Sequence, residues 1–109
     1  MPSHDLELVR QLASDETNCE FFDAVMAELR ARNVDSDDLL YVLQFELGET
    51  HWFKSRVTEK YYPGTVSDYY SLWIDFCDCR MFVKLIIREE ASGSKKLVIT
   101  SFKEDNRYA

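Results

Sequence analysis

The spacing of apolar residues changes at Gly48, which limits the chain to a helical half followed by a sheet half. Before Gly48, apolar residues recur about one turn apart, the spacing that gathers them on one face of a helix. Leu6, Val9 and Leu12 mark a short helix over residues 5–13. Phe21, Phe22, Val25, Met26 and Leu29 mark a second, with Asn18 as its cap. Arg30 and Arg32 fall in its last turn, where positive charge suits the helix dipole. Asn33-Val34-Asp35 is a tight link. A third helix starts from Ser36 as N-cap, carries Asp37 and Asp38 in its first turn, and buries Leu39, Leu40, Leu43 and Leu47 before Gly48 stops it.

Beyond Gly48, residues 68–76, 80–90 and 96–103 are rich in aromatic and β-branched side chains. Cys77-Asp78-Cys79 and Ala91-Ser92-Gly93-Ser94 separate them, so a three-stranded antiparallel meander is expected. Residues 57–66 are turn-rich around Pro63-Gly64, with room for a short strand. The expected class is α+β: N-terminal helices packed on an antiparallel sheet. One domain spans 1–109, with a helical half of about 1–50 and a sheet half of about 51–109. A content of 46% hydrophobic residues, with 3 Gly and 2 Pro, supports a core rather than disorder.

Alternation along the middle strand defines its two faces. Met81, Val83, Leu85 and Ile87 form the set expected to pack on the helices, leaving Phe82, Lys84, Ile86 and Arg88 on the other side. If residues 91–94 close the hairpin symmetrically, Glu90 pairs with Lys95, Arg88 with Leu97, Lys84 with Ser101, and Phe82 with Lys103. The open face then gathers Phe82, Lys84, Arg88, Ser101 and Lys103. A slip of one residue would turn one strand over and scatter them.

Net charge is −7, but it is unevenly spread. Residues 1–50 carry 3 basic and 12 acidic side chains (net −9), whereas residues 51–109 carry 10 basic and 8 acidic (net +2). A polyanion is therefore expected to meet the C-terminal half. Met1 to Val9 includes Asp5 and Glu7 and no apolar run, unlike a signal peptide. No stretch approaches the roughly 20 apolar residues that span a bilayer, so a soluble cytoplasmic protein is expected. Three cysteines do not make a disulfide framework, and Cys77-x-Cys79 lacks the second pair that structural zinc sites use. No metal or cofactor is expected.

Two lysine motifs stand out: Trp52-Phe53-Lys54-Ser55 and Ser101-Phe102-Lys103-Glu104. Their order, with a D-x-Y element at Asp68-Tyr69-Tyr70 and Met81-Phe82-Val83-Lys84 between them, resembles the MqsR family of bacterial mRNA-cleaving toxins, from about Ala27 to Glu104. That resemblance implies the wider RelE-like toxin fold and a metal-independent endoribonuclease of a type II toxin–antitoxin pair. It implies mRNA and a protein antitoxin as partners, and leaves a homodimer open. Matched residue by residue, the family's catalytic lysines fall at Lys54 and Lys103. Its sheet tyrosine falls at Phe82, and its glutamine before D-x-Y falls at or near Ser67. Phenylalanine can stack on a base but cannot move a proton, and serine is shorter than glutamine. Family members are also usually basic.

Cleaving RNA by 2′-hydroxyl attack needs a base, cationic donors on the phosphate oxygens, and an acid for the leaving oxygen. Lysine serves the second need directly. As a base it must be shifted down from about 10.4 by burial or neighbouring cations. Lys54, Lys84 and Lys103 together would shift one another that way. Arg56, Arg88, Ser67 and Ser101 are candidate substrate contacts, Phe82 a stacking platform, and Tyr69, Tyr70 or Tyr62 substitutes for the missing phenol. Trp73 is expected in the core and His51 in capping or packing. The alternative function is an RNA- or protein-binding module that keeps the fold without the chemistry.

Overall fold

The computed structural model describes residues 1–108. Helix α1 (Leu6–Ala13) leads into strand β1 (Cys19–Phe21), then helices α2 (Asp23–Ala31) and α3 (Ser36–Phe45). Strands β2 (Trp52–Val57), β3 (Val66–Ile74), β4 (Cys79–Glu89) and β5 (Lys95–Glu104) follow. They form one five-stranded sheet in the order β1-β5-β4-β3-β2, antiparallel except where β1 runs parallel to β5. The fold is mixed α and β, and among the described residues no helix is long and apolar enough to cross a membrane.

The expected meander is the centre of this larger sheet. At its N-terminal edge, where the apolar spacing predicts helix, the chain forms strand β1. Cys19, Glu20 and Phe21 pair with Leu97, Val98 and Ile99, and the Phe22 amide continues the pairing to the Ile99 carbonyl at 3.1 Å. Asn18 therefore caps nothing; α2 starts one turn later from Phe22, whose side chain makes no capping bond. Phe21 and Phe22 mimicked a helical stripe because a strand end and a helix start both lean on the same core.

Helix α3 is capped by Asp35 rather than Ser36. The Asp38 amide donates to the Asp35 carboxylate at 3.2 Å and the Asp35 amide to the Asp38 carboxylate at 3.0 Å, a reciprocal box satisfying two donors that the helix itself cannot pair. Gly48 is not a left-handed stop, since its φ is −131° and the helix ends at Phe45. Leu47 is nevertheless buried, its carbonyl held by Arg10 at 3.0 Å.

The helices supply Val9, Leu12, Val25, Leu29, Leu39 and Leu43 to the core, and one face of the sheet supplies Tyr70, Leu72, Ile74, Met81, Val83, Leu85, Leu97, Ile99 and Phe102. Strand β5 achieves this with a fault in its register. From Glu89↔Lys95 to Leu85↔Ile99 the pairing is one residue off the symmetric hairpin, so Arg88 faces Lys96 rather than Leu97. The register then shifts between Lys84 and Leu85, where Thr100 is the extra residue, and Lys84↔Ser101 and Phe82↔Lys103 pair as expected. A bulge reverses the side-chain alternation beyond it. Leu97 and Ile99 on one side and Phe102 on the other can thus all point at the helices.

Buried Asp68 ties the N-terminal residues to strands β2 and β3. Its carboxylate accepts from the amides of Ser3 at 2.8 Å and His4 at 2.7 Å, and from the Ser55 hydroxyl at 2.5 Å. Ser55 in turn accepts from Trp52 Nε1 at 3.0 Å. Asp68→Ala would leave these donors without an acceptor and is expected to cost about 2–3 kcal/mol, seen as a lower urea midpoint. Asp68→Asn, which keeps an acceptor oxygen, should lose less.

Candidate nucleic-acid interface

The side of the sheet away from the helices carries the lysine motifs. Strand β2 has its own register shift: Trp52 lies opposite Tyr70 and Lys54 opposite Tyr69, leaving Phe53 as the extra residue. A regular strand would send Phe53 and Lys54 to opposite faces. The bulge instead presents both on the outer side, while Ser55 turns in to Asp68. On β3 the outward residues are Ser67, Tyr69 and Ser71, on β4 Phe82 and Lys84, and on β5 Ser101 and Lys103.

Three rings form the centre of this surface. Tyr69 and Phe82 meet edge to face with centroids 5.6 Å apart, and Phe53 lies 6.0 Å from each. Cations sit around them. Lys54 Nζ is 4.8 Å and Lys84 Nζ 5.3 Å from the Tyr69 centroid, and Lys103 Nζ is 5.4 Å from that of Phe82. The Arg107 guanidinium lies 3.7 Å over Phe53. Among the described residues, no carboxylate lies within ion-pair distance of Lys54, Lys84 or Lys103. Their charge is therefore available to an incoming anion.

Lys84 is half-buried at the middle of the group. Burial, with Lys103 and Arg56 nearby, pulls its ammonium below the ordinary lysine range. Tyr69 stands directly opposite it, which places a phenol one strand from Phe82, where the resemblance expects one. Lys54 and Lys103 share the face but lie three inter-strand steps apart, roughly 14 Å at usual strand spacing. The rings of Tyr69 and Phe82 lie between them.

Arg56 is exposed at the rim opposite Ser67, and Ser101 is half-buried opposite Lys84. Ser67 itself is only 2% exposed. Arg88 is a correction. It is on the expected face, but it is ion-paired with Glu20 and Glu90 and stacked 5.1 Å from the Tyr62 centroid, so it is neutralised away from the lysines. Trp73 is a second correction: the alternation of β3 puts it outward and 53% exposed, with Nε1 donating to Asp75 at 3.1 Å. Tyr70 points into the core, where burial pushes its phenol pKa up and its hydroxyl has no hydrogen-bond partner among the described residues. His51 accepts from the Gly48 amide at 3.0 Å, a packing role, and burial lowers its pKa. Cys77 and Cys79 pack against the core.

Phe53 and Arg107 escaped the sequence reading as site residues. The first needed the bulge to be seen, and the second lies just past the last strand. Asp105 holds Arg107 in place by bonds of 2.9 and 2.8 Å and accepts from the Ser71 hydroxyl at 2.5 Å. Arg107 is the main reason that Asp105 sits well below the usual carboxylate range, with Ser71 adding to it.

A carboxylate lowered on folding stabilises above its unfolded value, about 3.9, and that contribution is lost as pH falls toward the folded value. Asp105→Asn should therefore be less stable than wild type by about 1–3 kcal/mol at pH 7. The gap should narrow in urea titrations run progressively below pH 4. In comparisons with known proteins, no protein-family model matches this chain, and no curated protein matches its sequence.

Proposed function

We propose that this protein is a metal-independent endoribonuclease of the mRNA-interferase type, built on a RelE-like architecture and acting as the toxin of a toxin–antitoxin pair. The observation that carries this reading is the group of three lysines without carboxylate partners, set around the Tyr69–Phe82–Phe53 rings. Rings of this kind stack on unpaired bases, and ammonium groups beside them neutralise phosphates. The +2 balance of residues 51–109, against −9 in the first 50, fits a polyanion on this half.

In the proposed reaction, the RNA 2′-hydroxyl attacks the adjacent phosphorus, forming the P–O2′ bond as the P–O5′ bond breaks. The products are a 2′,3′-cyclic phosphate and a 5′-hydroxyl. Lys84, with its depressed pKa, takes the 2′-hydroxyl proton. Tyr69 or Lys54 protonates the leaving 5′-oxygen. Lys103, across Phe82, holds the neighbouring phosphate, and Arg56 extends the track at the rim. A protein antitoxin would act by covering this face.

One observation favours a second reading, RNA binding without cleavage. Lys54 and Lys103, the lysines matched to catalytic positions, stand on strands three steps apart and contact different rings. Growth arrest on expression in bacteria, with transcripts cut, selects the nuclease. Salt-sensitive RNA binding with intact RNA selects the binding module.

For the nuclease, Lys84→Met and Tyr69→Phe should each lower the cleavage rate by about 100-fold or more. The rate should rise with pH as Lys84 loses its proton and level off below about 10.4, the free lysine value. Lys84→Arg, which cannot deprotonate in this range, should show no such rise. A purified soluble wild type that leaves RNA intact from pH 6 to 10 would refute the reaction.

A further inference from the structure

The outward face is open around the three rings but roofed at its other end. Residues 58–65, between β2 and β3, fold over it. Their neck is tied by the Thr58 amide on the Thr65 carbonyl at 2.8 Å and by the Thr58 and Thr65 hydroxyls, both donating to the Tyr62 carbonyl, at 2.9 and 2.7 Å. Tyr62 adopts a left-handed backbone with φ of 48°, uncommon for a residue with a side chain, and packs on Arg88. This brace holds Tyr61 over the sheet, its ring 5.0 Å from that of Phe22 in an edge contact. Tyr61 is still 50% exposed.

Three chambers meet at Tyr61: one, of about 780 Å³, carries the carboxylates of Glu20 and Asp23, and the other two adjoin Lys84. Of these two, one, of about 280 Å³, is walled by Phe22, Tyr61 and Ile86 and floored by Ser67, Lys84 and Ser101. The other, of about 360 Å³, is lined by Arg56, Lys60 and Lys84 with Tyr69. Thr58, Tyr61, Ser67 and Lys84 border both, so the two are adjoining parts of one depression. Their character differs: the first is mainly apolar with a few hydroxyls and Lys84 at its floor, and the second sets Arg56, Lys60 and Lys84 against the single carboxylate of Glu59. Each is near the small end of the range for small-molecule sites, roughly 300–1,000 Å³.

The hydroxyls of Ser67 and Ser101 make no hydrogen bond among the described residues, although Ser67 is only 2% exposed. Each hydroxyl can donate to and accept from the polar edge of a ligand. A nucleotide meets all of these conditions. Its base offers flat apolar faces to Tyr61 and Phe22 and polar edges to the two serines, and its phosphate suits the lysine and arginine side.

We propose that this depression is a nucleotide subsite of the RNA track, the apolar chamber receiving one unstacked base and the cationic chamber its phosphate. It rests on the RNA-directed reading of the neighbouring face and adds the determinant of sequence preference. Lys84 borders both chambers and also faces Tyr69, so the base is read beside the bond that is cut. Tyr61 supplies the stacking surface, and Ser67 with Ser101 discriminates among base edges. A site that hydrogen-bonds a ligand discriminates more sharply than one that only packs against it.

The test uses the full chain and the four nucleoside 3′,5′-bisphosphates, titrated by NMR at constant salt. One base should bind at least tenfold more tightly than the weakest, with the largest shifts at residues 58–61 and 67. Tyr61→Ala should abolish the preference. Ser67→Ala, a small change that spares the fold, should reorder the four affinities. Lys95→Ala, at the exposed start of β5, should leave the order unchanged.

Equal affinities for all four, or an order that survives both Tyr61→Ala and Ser67→Ala, would overturn the proposal. A single-stranded RNA hexamer containing the preferred base should bind tighter still. If it binds no better than the bisphosphate, the site belongs to a free nucleotide and the RNA subsite is refuted. None of these measurements depends on cleavage, so an inactive nuclease with a base preference and an active one without it are separate results.

Discussion

The alternation of side chains along a strand is the constraint on which this molecule depends, and two bulges relax it where a regular strand would fail. In β5, Leu97, Ile99 and Phe102 have to reach one core, yet they do not share one parity. The extra residue at Thr100 reconciles them and at the same time sends Ser101 and Lys103 outward. In β2, the extra residue at Phe53 lets two adjacent side chains share the outer face. Core packing and surface chemistry are thus set by the same two irregularities.

The face so produced is organised by contacts between rings and cations. Phe53, Tyr69 and Phe82 support one another, and each has a cation over or beside it. Such contacts are worth about 0.5–1 kcal/mol at exposed positions, so they orient the lysines loosely and leave them free to move onto a ligand. Glu59 and Glu104 border this surface, but other acidic groups near it are committed elsewhere. Asp68 holds the N-terminus and Ser55, Asp105 holds Arg107, and Glu20 holds Arg88. The positive field is therefore local, despite a net charge of −7 for the whole chain.

The order of the motifs along the chain also has a physical basis. Ser55 in Phe53-Lys54-Ser55 and Asp68 in the D-x-Y element are joined by a hydrogen bond across β2 and β3. Lys54 and Tyr69, the next residues outward, are brought opposite each other by the same register. One inward polar contact thereby fixes an outward pair. Phe82 offers no phenol, but Tyr69 in the adjacent strand places one on the same face.

Periodicity alone was enough for the three helices, the three central strands and the inward set Met81, Val83, Leu85 and Ile87, since burial follows directly from spacing. It also placed Lys84, Ser101, Phe82 and Lys103 on one face, where the symmetric pairing and the true one coincide beyond the bulge. Strand β1 was hidden because three residues are too few to show a period and its partner is nearly eighty residues away. The fates of Arg88 and Trp73 were equally illegible: one depends on Glu20 arriving from β1, the other on what covers the outer sheet face. Local pattern determines which side chains turn inward. Which outward charges are neutralised, and which are left to meet a ligand, is decided only when distant segments come together.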